Sequence, residues 1–523
     1  MMSGNTSICS IRTALPMLNG MVLSQRIMVL FEGKGNRQGG LASADELKLY
    51  NNNMISQLEE YAGEQDKISS IPTSCVAVAD DVAPCATASN PRDALHQMQI
   101  LLNIVEDHGS QLHMTFGAEK CKLLISGRPS KMKSTFTILE EEPEVLTFYG
   151  TPVKVVESHY VHIGVPQAPR HQSKVMVDYQ ISKSQDLSYE LQGATKNALS
   201  GISPLSNRKM FLSYHQPTFL YGTETMPLNL GDIERLEIKY RKTLKCMLSV
   251  PDCTPSAAVY LCMGVLPAAA QRDVEILGIL GQLGNFDTEL QNIRGVMEHT
   301  LAFYDVNFPG WSGLVRRTCL KYGLPDPLQY LQNPWRADRW RQHCKKTVQD
   351  YWELELIQVV ETSQTLQYVD TESASLSIPM RGWQLAGLCA VSVKQASIVN
   401  WMLLGVYFTR EMLLKMRKVD TDKCLACEEN TPENLGHFSL QCSHLDSIRQ
   451  EYLPQLFISN THLSSILDKQ EQVILSILDP VSSKLPENVR KGWTSVNQAY
   501  GLSRKFCSDM HQKRESFYNN LDK

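Results

Sequence analysis

The sequence predicts an α+β fold, with a short sheet and packed helices in the first third and mostly helical chain after it. Short apolar runs rich in β-branched residues alternate with helical segments up to Val165. From Lys174 onward, apolar residues recur at helical spacing. A group of cysteine and histidine residues with metal-ligand spacing lies between Cys424 and Cys442. At 523 residues the chain has room for several domains of ordinary size.

Composition and charge exclude several classes of protein. The chain is 43% apolar with a formal net charge of -4, so any nucleic-acid contact must come from local basic faces. No apolar run approaches the roughly 18 residues of a membrane span, and the run from Ile27 to Phe31 is only strand-length. The N-terminus lacks the features of a signal peptide. Fourteen cysteines without an export signal indicate a reducing compartment. We therefore expect an intracellular protein, nuclear or cytoplasmic, with no membrane partner.

Two adjacent carboxylates stand at a predicted hairpin tip. The apolar run from Cys75 leads into Asp80 and Asp81, and the chain then turns back through Val82 to Ala88. Successive strand residues point to opposite faces, so only a tight turn could aim both acids at one spot. Adjacent acids are costly unless a cation faces them, and a divalent metal is such a partner. A solvated hairpin tip is the alternative.

The segments around this hairpin predict further elements. Gly33 to Gly40 is a glycine-dense loop that precedes a helical pattern, and such a loop either cradles a phosphate or simply connects two elements. Asn90-Pro91 predicts the start of a helix that ends near Gly109. Short strands are predicted within 116–125, 135–139, 146–149 and 153–156, and the segment 160–165 closes the region.

In order and spacing, these segments resemble the reverse transcriptase of non-LTR (LINE-type) retrotransposons. Asn36 to Leu41 resembles its RQG motif, and Ala79-Asp80-Asp81 resembles its metal-binding ADD box. Phe116 to Lys122 resembles the following motif, and Tyr160 to Val165 resembles the primer-grip segment. The resemblance implies a polymerase palm that uses Mg²⁺, an RNA template and a DNA primer. The site residues that it implies are Asp80 and Asp81 for Mg²⁺, Lys120 as proton donor, and Arg37, Gln38 and Gly39 for nucleotide and template.

The resemblance to a palm is incomplete. The family carries another aspartate on a strand before the RQG motif, whereas this chain has none before Asp45 and only Glu32 as an acid ahead of the loop. A two-metal centre needs carboxylates from more than one strand. We therefore expect an N-terminally truncated palm, without fingers or first catalytic strand, that is catalytically inactive. Val78 also replaces an aromatic residue of the family, and Pro84 is expected to interrupt the returning strand.

Two later segments leave alternatives open. Glu234 to Lys245 carries five cations at helical spacing, which is typical either of a solvated face or of a thumb helix along a nucleic-acid backbone. The segment from Trp335 to Arg341 interleaves two tryptophans with three arginines. These side chains can stack on bases and bind phosphates, or the helix can bury both tryptophans while the arginines reach water. The stretch from Leu244 to Pro267 resembles the thumb of LINE polymerases.

The Cys/His spacing near the end predicts a zinc site. Cys424 and Cys427 form a C-x2-C pair, and nine residues later His437 and Cys442 form H-x4-C. This spacing suits a tetrahedral Cys3His site, with His444 as an alternative ligand and scattered reduced cysteines as the alternative interpretation. LINE proteins commonly carry a similar CCHC-type knuckle after the polymerase. Such a knuckle binds nucleic acid or staples a small domain.

These observations predict both a domain organisation and a function. The predicted divisions are a partial palm at 1–166, a helical thumb at 167–275, a helical connector at 276–415, a CCHC-type zinc knuckle at 416–450 and a helical tail at 451–523. The predicted function is that of a fragment of an RNA-directed DNA polymerase, with Mg²⁺ and Zn²⁺ as cofactors. The alternative is a non-enzymatic module that binds nucleic acid or protein and keeps a structural zinc knuckle.

Overall fold

The computed structural model describes residues 25–30, 53–58, 60–61, 73–78, 81–111, 116–196, 203–285, 291–387 and 390–521. Over these residues the chain is mostly helical, and its short strands lie between residues 25 and 167. The predicted α+β class is confirmed at this level. None of the helices in these ranges combines the length and apolar character that a membrane span requires.

A five-stranded sheet forms the centre of the first region, in the order β2-β3-β1-β4-β7. The pairs β2–β3, β3–β1 and β1–β4 are antiparallel, and β4–β7 is parallel. β5 pairs with β6, and β8 pairs with β9, as two small antiparallel ribbons. The strands are β1 (Gln25–Leu30), β2 (Thr73–Val78), β3 (Asp81–Ala88), β4 (Lys122–Ser126), β5 (Thr147–Phe148), β6 (Thr151–Pro152), β7 (Lys154–Val155), β8 (Tyr160–His162) and β9 (Val165–Gln167).

One face of this sheet packs on helix α1 (Pro91–Gln111). Alternate residues of β3 and β4, among them Val82, Leu123 and Ile125, join the buried face of α1 in one core. The intervening Leu124 belongs to a separate small cluster on the opposite face. This alternation follows from the two-residue period of a strand. The predicted layer of helix under sheet is therefore present in the described residues.

Two local predictions in this region were wrong. Residues 135–139 are not a strand but part of helix α2 (Pro129–Glu141). Proline at the first helical position presets the backbone for a helix, and this start signal outweighs the β-branched propensity of Thr135 and Thr137. Inside the helix, the Thr135 hydroxyl donates to the carbonyl of Lys131 at 3.0 Å. Pro84 does not interrupt β3 either. β1 pairs with β3 only from Cys85 to Ala88, so Pro84 has a strand on one side only, as at a sheet edge.

A large helical body follows the sheet. Its core runs from Val165 to Val406 without dividing at the predicted boundary between residues 275 and 276. The helices that follow α2 are α3 (Gln172–Lys196), α4 (Pro204–Met210), α5 (Gln216–Leu220), α6 (Leu230–Leu248), α7 (Ser256–Met263), α8 (Ala268–Asn285), α9 (Gln291–Phe303), α10 (Trp311–Lys321), α11 (Pro327–Gln332), α12 (Ala337–Glu361), α13 (Arg381–Gln384), α14 (Ala390–Leu403), α15 (Arg410–Lys415), α16 (Asp446–Ser459), α17 (Gln470–Leu478), α18 (Glu487–Lys491) and α19 (Val496–Leu521).

Contact between α8 and α12 centres on Trp340. Its side chain is fully buried, and its indole N–H donates to the carbonyl of Leu277 at 2.8 Å. The Tyr330 ring lies 3.9 Å from it, centroid to centroid. Gly281 provides the space on α8 for the indole, because a Cβ at that position would lie 2.4 Å from Trp340 Cδ1. Gly278, one turn earlier on the same helix, has nothing within 4 Å of such a Cβ.

Alanine at these two glycines is expected to change stability in opposite directions. Gly281→Ala should lower the free energy of unfolding by about 1–3 kcal/mol, because the fixed indole cannot move away. Gly278→Ala should raise it by about 0.5–1 kcal/mol through helix propensity. Urea unfolding of both variants beside the unsubstituted chain measures the two changes. Shifts of the same sign would contradict this account of α8 packing.

A second core occupies the C-terminal part of the chain. It extends from Tyr368 to Met510 and includes two of the predicted zinc ligands, Cys424 and Cys442. Helix α14 packs against α19 in this core through residues such as Met402 and Phe506. The predicted knuckle and the predicted tail thus share one set of apolar contacts.

Candidate metal centre

Four side chains converge at the point where the C-x2-C and H-x4-C segments meet. The Sγ atoms of Cys424 and Cys442 lie 3.9 Å apart, and Cys427 Sγ lies 3.4 Å from His437 Nε2. All four ligand atoms lie within 4.8 Å of one another. The sulfur separation is far longer than the roughly 2.05 Å of a disulfide. The arrangement can therefore hold a metal ion, and the four residues are those that the sequence spacing predicted.

A short turn brings the first two cysteines into place. Lys423 and Pro432 form an isolated antiparallel bridge, and the Cys424 amide donates to the carbonyl of Thr431 at 2.9 Å. Asn430 takes a left-handed conformation with φ of 52°, which closes the turn between these two segments. The loop therefore projects the C-x2-C thiols toward the following His and Cys.

Backbone amides face the three sulfurs in a regular pattern. Each sulfur accepts a hydrogen bond from the amide two residues later in the chain, from Ala426, Glu429 and His444 respectively. Hydrogen bonds to a thiolate favour the charged form, which is the form that binds metals. The Cys424 and Cys442 thiols also contact each other, and this contact lowers the pKa of Cys424 and raises that of Cys442.

His437 is held with one nitrogen toward the sulfurs. Its backbone amide donates to Asn434 Oδ1 at 2.8 Å, at the start of the single wide helical turn His437–Gln441. Nε2 faces Cys427, while Nδ1 lies 3.0 Å from Thr431 Oγ1 and 3.9 Å from the Glu429 carboxylate. When Nε2 binds a metal, Nδ1 carries the proton and donates a hydrogen bond to Thr431 Oγ1. This second contact orients the imidazole as in known metal-binding histidines.

His444 does not join the group. The four-residue cluster excludes it, and its ring packs against Phe517 with centroids 5.0 Å apart. Burial lowers the pKa of His444, which is the expected effect of the apolar contact. Of the two arrangements that the sequence left open, the structure therefore brings together the one with His437.

Sequence reasoning missed the residues that attach this loop to the rest of the chain. Glu433 and Arg514 form a buried ion pair with N–O distances of 2.7 and 2.9 Å. The Glu433 carboxylate also accepts from the amide of Arg410 at 2.9 Å, and Arg514 donates to the carbonyl of Phe408 at 2.9 Å. Because Arg514 is 81 residues from Glu433, no local pattern could have found it. Thr431 was missed as well, since a single hydroxyl carries no signal in sequence.

The predicted polymerase residues fall at one end of the five-stranded sheet. There β1 ends at Leu30, which pairs with Lys122 at the start of β4, and β3 begins at Asp81, four residues before its last pair with β1 at Cys85. Lys120, which is half-buried, ends the short helical turn just before β4. Asp80, Arg37, Gln38 and Gly39 lie outside the described residues. The backbone thus brings Asp81 and Lys120 to the same end of the sheet, in which β1 lies between β3 and β4.

The acids available to that edge are few. Asp81 is the only acidic residue on the five strands of the sheet. In the part of the chain that the structure describes, the Cys/His cluster is the only group found with metal-binding geometry. The structure therefore provides no independent support for the predicted Mg²⁺ site.

The cations of the first basic segment, Glu234 to Lys245, are largely paired within the protein. On α6, Arg235 pairs with Asp178, Arg241 pairs with Glu234 at 2.6 Å, and Lys245 donates to the carbonyl of Asp252 at 2.6 Å. Internal pairing of these cations favours the solvated-face interpretation.

In the second segment, from Trp335 to Arg341, Trp340 is buried, but Trp335 is 38% exposed with the Arg339 guanidinium 5.5 Å from its ring centroid. Only one of the two tryptophans is therefore a core residue.

No protein-family model matches the chain, and no curated protein matches it either. The resemblance to LINE polymerases therefore stays a prediction.

Proposed function

We propose that this chain is a remnant of a non-LTR retrotransposon reverse transcriptase that binds a template–primer duplex but does not extend the primer. The observation that carries the proposal is the common sheet edge of Asp81, Lys120 and the end of β1. The chain that follows β1 leads within eight residues to Arg37 and Gln38. The order of these elements along the chain is that of the RQG, ADD and lysine motifs in the family.

The same sheet argues against turnover. Phosphoryl transfer by two metals needs carboxylates from more than one strand, so that both ions are held at a fixed separation. β1, β2 and β4 contribute no acid, which leaves Asp80 and Asp81 at a single hairpin. Two adjacent aspartates can bind one Mg²⁺ together with water and a substrate phosphate. They do not form a two-metal centre.

The Cys/His cluster would bind a zinc ion as a structural site. Zinc bound tetrahedrally by thiolates at about 2.3 Å and by an imidazole at about 2.05 Å sets ligand atoms about 3.8 Å apart for two sulfurs and about 3.5 Å for sulfur and nitrogen. The corresponding distances of 3.9 and 3.4 Å agree with this geometry. Four protein ligands leave no position open for substrate, which is typical of a structural site.

Primer extension on an RNA template tests the polymerase proposal. With Mg²⁺ and all four deoxynucleotides, we expect no incorporation above background from the full chain. The same chain should retain a template–primer duplex at low salt and release it as salt rises, because counterions compete for the phosphates. Incorporation that disappears in Asp80→Ala would contradict the inactive state. Failure to bind the duplex at about 50 mM salt would contradict the polymerase origin.

A second candidate is a non-enzymatic nucleic-acid- or protein-binding module organised by the zinc site. The buried Cys/His cluster favours it, because this cluster is intact and independent of the incomplete sheet. The two candidates differ in which substitution abolishes duplex binding. Loss of binding in Cys424→Ser, with unchanged binding in Asp80→Ala, would support the module. The reverse result would support the polymerase remnant.

A further inference from the structure

A cavity of about 500 Å³ lies between the segment 373–385, α14 and α19. It is separate from the Cys/His cluster and from the sheet edge, and no residue predicted to bind or catalyse lines it. Its volume is in the range of small-molecule sites, which is about 300–1,000 Å³. The cavity lies where residues of the large helical core meet residues of the C-terminal core, a common location for ligand sites.

The walls combine an apolar surface with polar groups. Ile378, Val399, Leu403 and Leu478 give the cavity an apolar lining. An apolar lining of this kind accommodates a hydrocarbon or ring, whereas polar groups decide which head group is accepted.

Three buried polar atoms of wall residues have no hydrogen-bond partner. They are the indole nitrogen of Trp383, the amide nitrogen of Asn400 and the hydroxyl oxygen of Ser503. These side chains are buried, at 3%, 5% and 0% exposure respectively. Two of the three atoms are obligate donors, so the wall lacks acceptors rather than donors. Because all three residues line the cavity, a ligand with acceptor atoms can supply partners for the two donors.

The cavity wall also contains three charged side chains, one carboxylate and two guanidinium groups. The carboxylate of Asp479 accepts a hydrogen bond from the Tyr500 hydroxyl. The Arg381 guanidinium is exposed and forms no hydrogen bond or ion pair within the described part of the chain. Arg504, which is half-buried, supplies a second guanidinium to the lining. Guanidinium groups bind carboxylates and phosphates through paired N–H donors.

We infer that this cavity binds an organic anion, in which a carboxylate or phosphate head contacts Arg381 and Arg504 and an apolar body fills the space beside Leu403 and Leu478. The head group supplies the acceptors that the N–H groups of Trp383 and Asn400 lack. The apolar part replaces water against the aliphatic wall, which favours binding through burial of apolar surface. A neutral ligand of the same shape would form none of the charge-assisted hydrogen bonds that an anionic head forms with a guanidinium group.

Isothermal titration of the full chain with decanoate, decyl phosphate and decanol tests this inference. We expect at least one anion to bind about tenfold or more tightly than decanol, because each charge-assisted hydrogen bond contributes strongly. The tighter of the two anions identifies the preferred head group. Equal affinity for decanol, or no binding of either anion, would overturn the inference.

Substitutions locate the binding in this cavity. Arg381→Gln and Trp383→Phe should each weaken anion binding, the first by about tenfold or more. Arg336→Gln serves as the matched control, because Arg336 is exposed and lies outside the cavity. Arg381 is also exposed, so its replacement should leave the melting temperature unchanged. Equal effects of Arg381→Gln and Arg336→Gln would show nonspecific attraction and overturn the assignment.

Discussion

Cys424→Ser is expected to abolish zinc binding and to unfold the C-terminal core. Serine cannot supply the thiolate, and the remaining three ligands hold the ion far less tightly. Structural zinc sites contribute about 10–16 kcal/mol of apparent binding free energy in small peptides. This is as large as the typical stability of a whole domain, about 5–15 kcal/mol. Metal analysis should give about one zinc per unsubstituted chain and close to none in the variant.

The matched control is Cys253→Ser. Cys253 is an exposed free cysteine far from the cluster in sequence, so the same chemical change there should leave zinc content and melting unchanged. Removal of zinc by a strong chelator should reproduce the Cys424→Ser result, with recovery after zinc is added back. Retention of one zinc by Cys424→Ser, or equal loss in both variants, would disprove the four-ligand site.

The metal site could be predicted from the sequence because its information is local. All four ligands lie within 19 residues, and the C-x2-C spacing itself limits the turn that joins the first two. The helix that begins at Pro91 was predictable for the same reason, since Asn90-Pro91 carries its own start signal. By contrast, residues 135–139 have strand propensity but belong to a helix that begins at Pro129. Their conformation therefore depends on residues outside this five-residue stretch, at the start of the helix.

Long-range positions were not predictable in this way. The run near Ile27 has the length of a strand, but nothing in it indicates a central position between β3 and β4. That position follows from pairing with residues about 60 to 100 positions later, which depends on the whole sheet. The Glu433–Arg514 pair is a similar case, because it joins the metal loop to α19 across 81 residues. Tertiary contacts, not local pattern, decide both.

Glu433→Gln is expected to lower the free energy of unfolding of the C-terminal core by about 3–5 kcal/mol. Both side chains are almost completely buried, with exposures of 3% for Glu433 and 7% for Arg514. The glutamine keeps the shape of the side chain but leaves the Arg514 guanidinium buried without its counter-charge. Its amide also cannot replace both carboxylate oxygens as acceptors for Arg514 and the Arg410 amide. Urea unfolding followed by circular dichroism measures the change.

Glu411→Gln provides the control for the same substitution at the surface. Glu411 pairs with Lys415 at 2.7 Å on one exposed helix face, and the lysine side chain is 72% exposed. This pair should contribute about 0.5 kcal/mol or less, because water and salt screen it.

The double variant Glu433→Gln/Arg514→Met should lower the free energy of unfolding by less than the sum of its single variants, since it removes the unpaired charge. Zinc content should remain about one per chain in Glu433→Gln, because Glu433 is not a ligand. If Glu433→Gln cost no more than Glu411→Gln, the buried pair would not be what attaches the metal loop to α19.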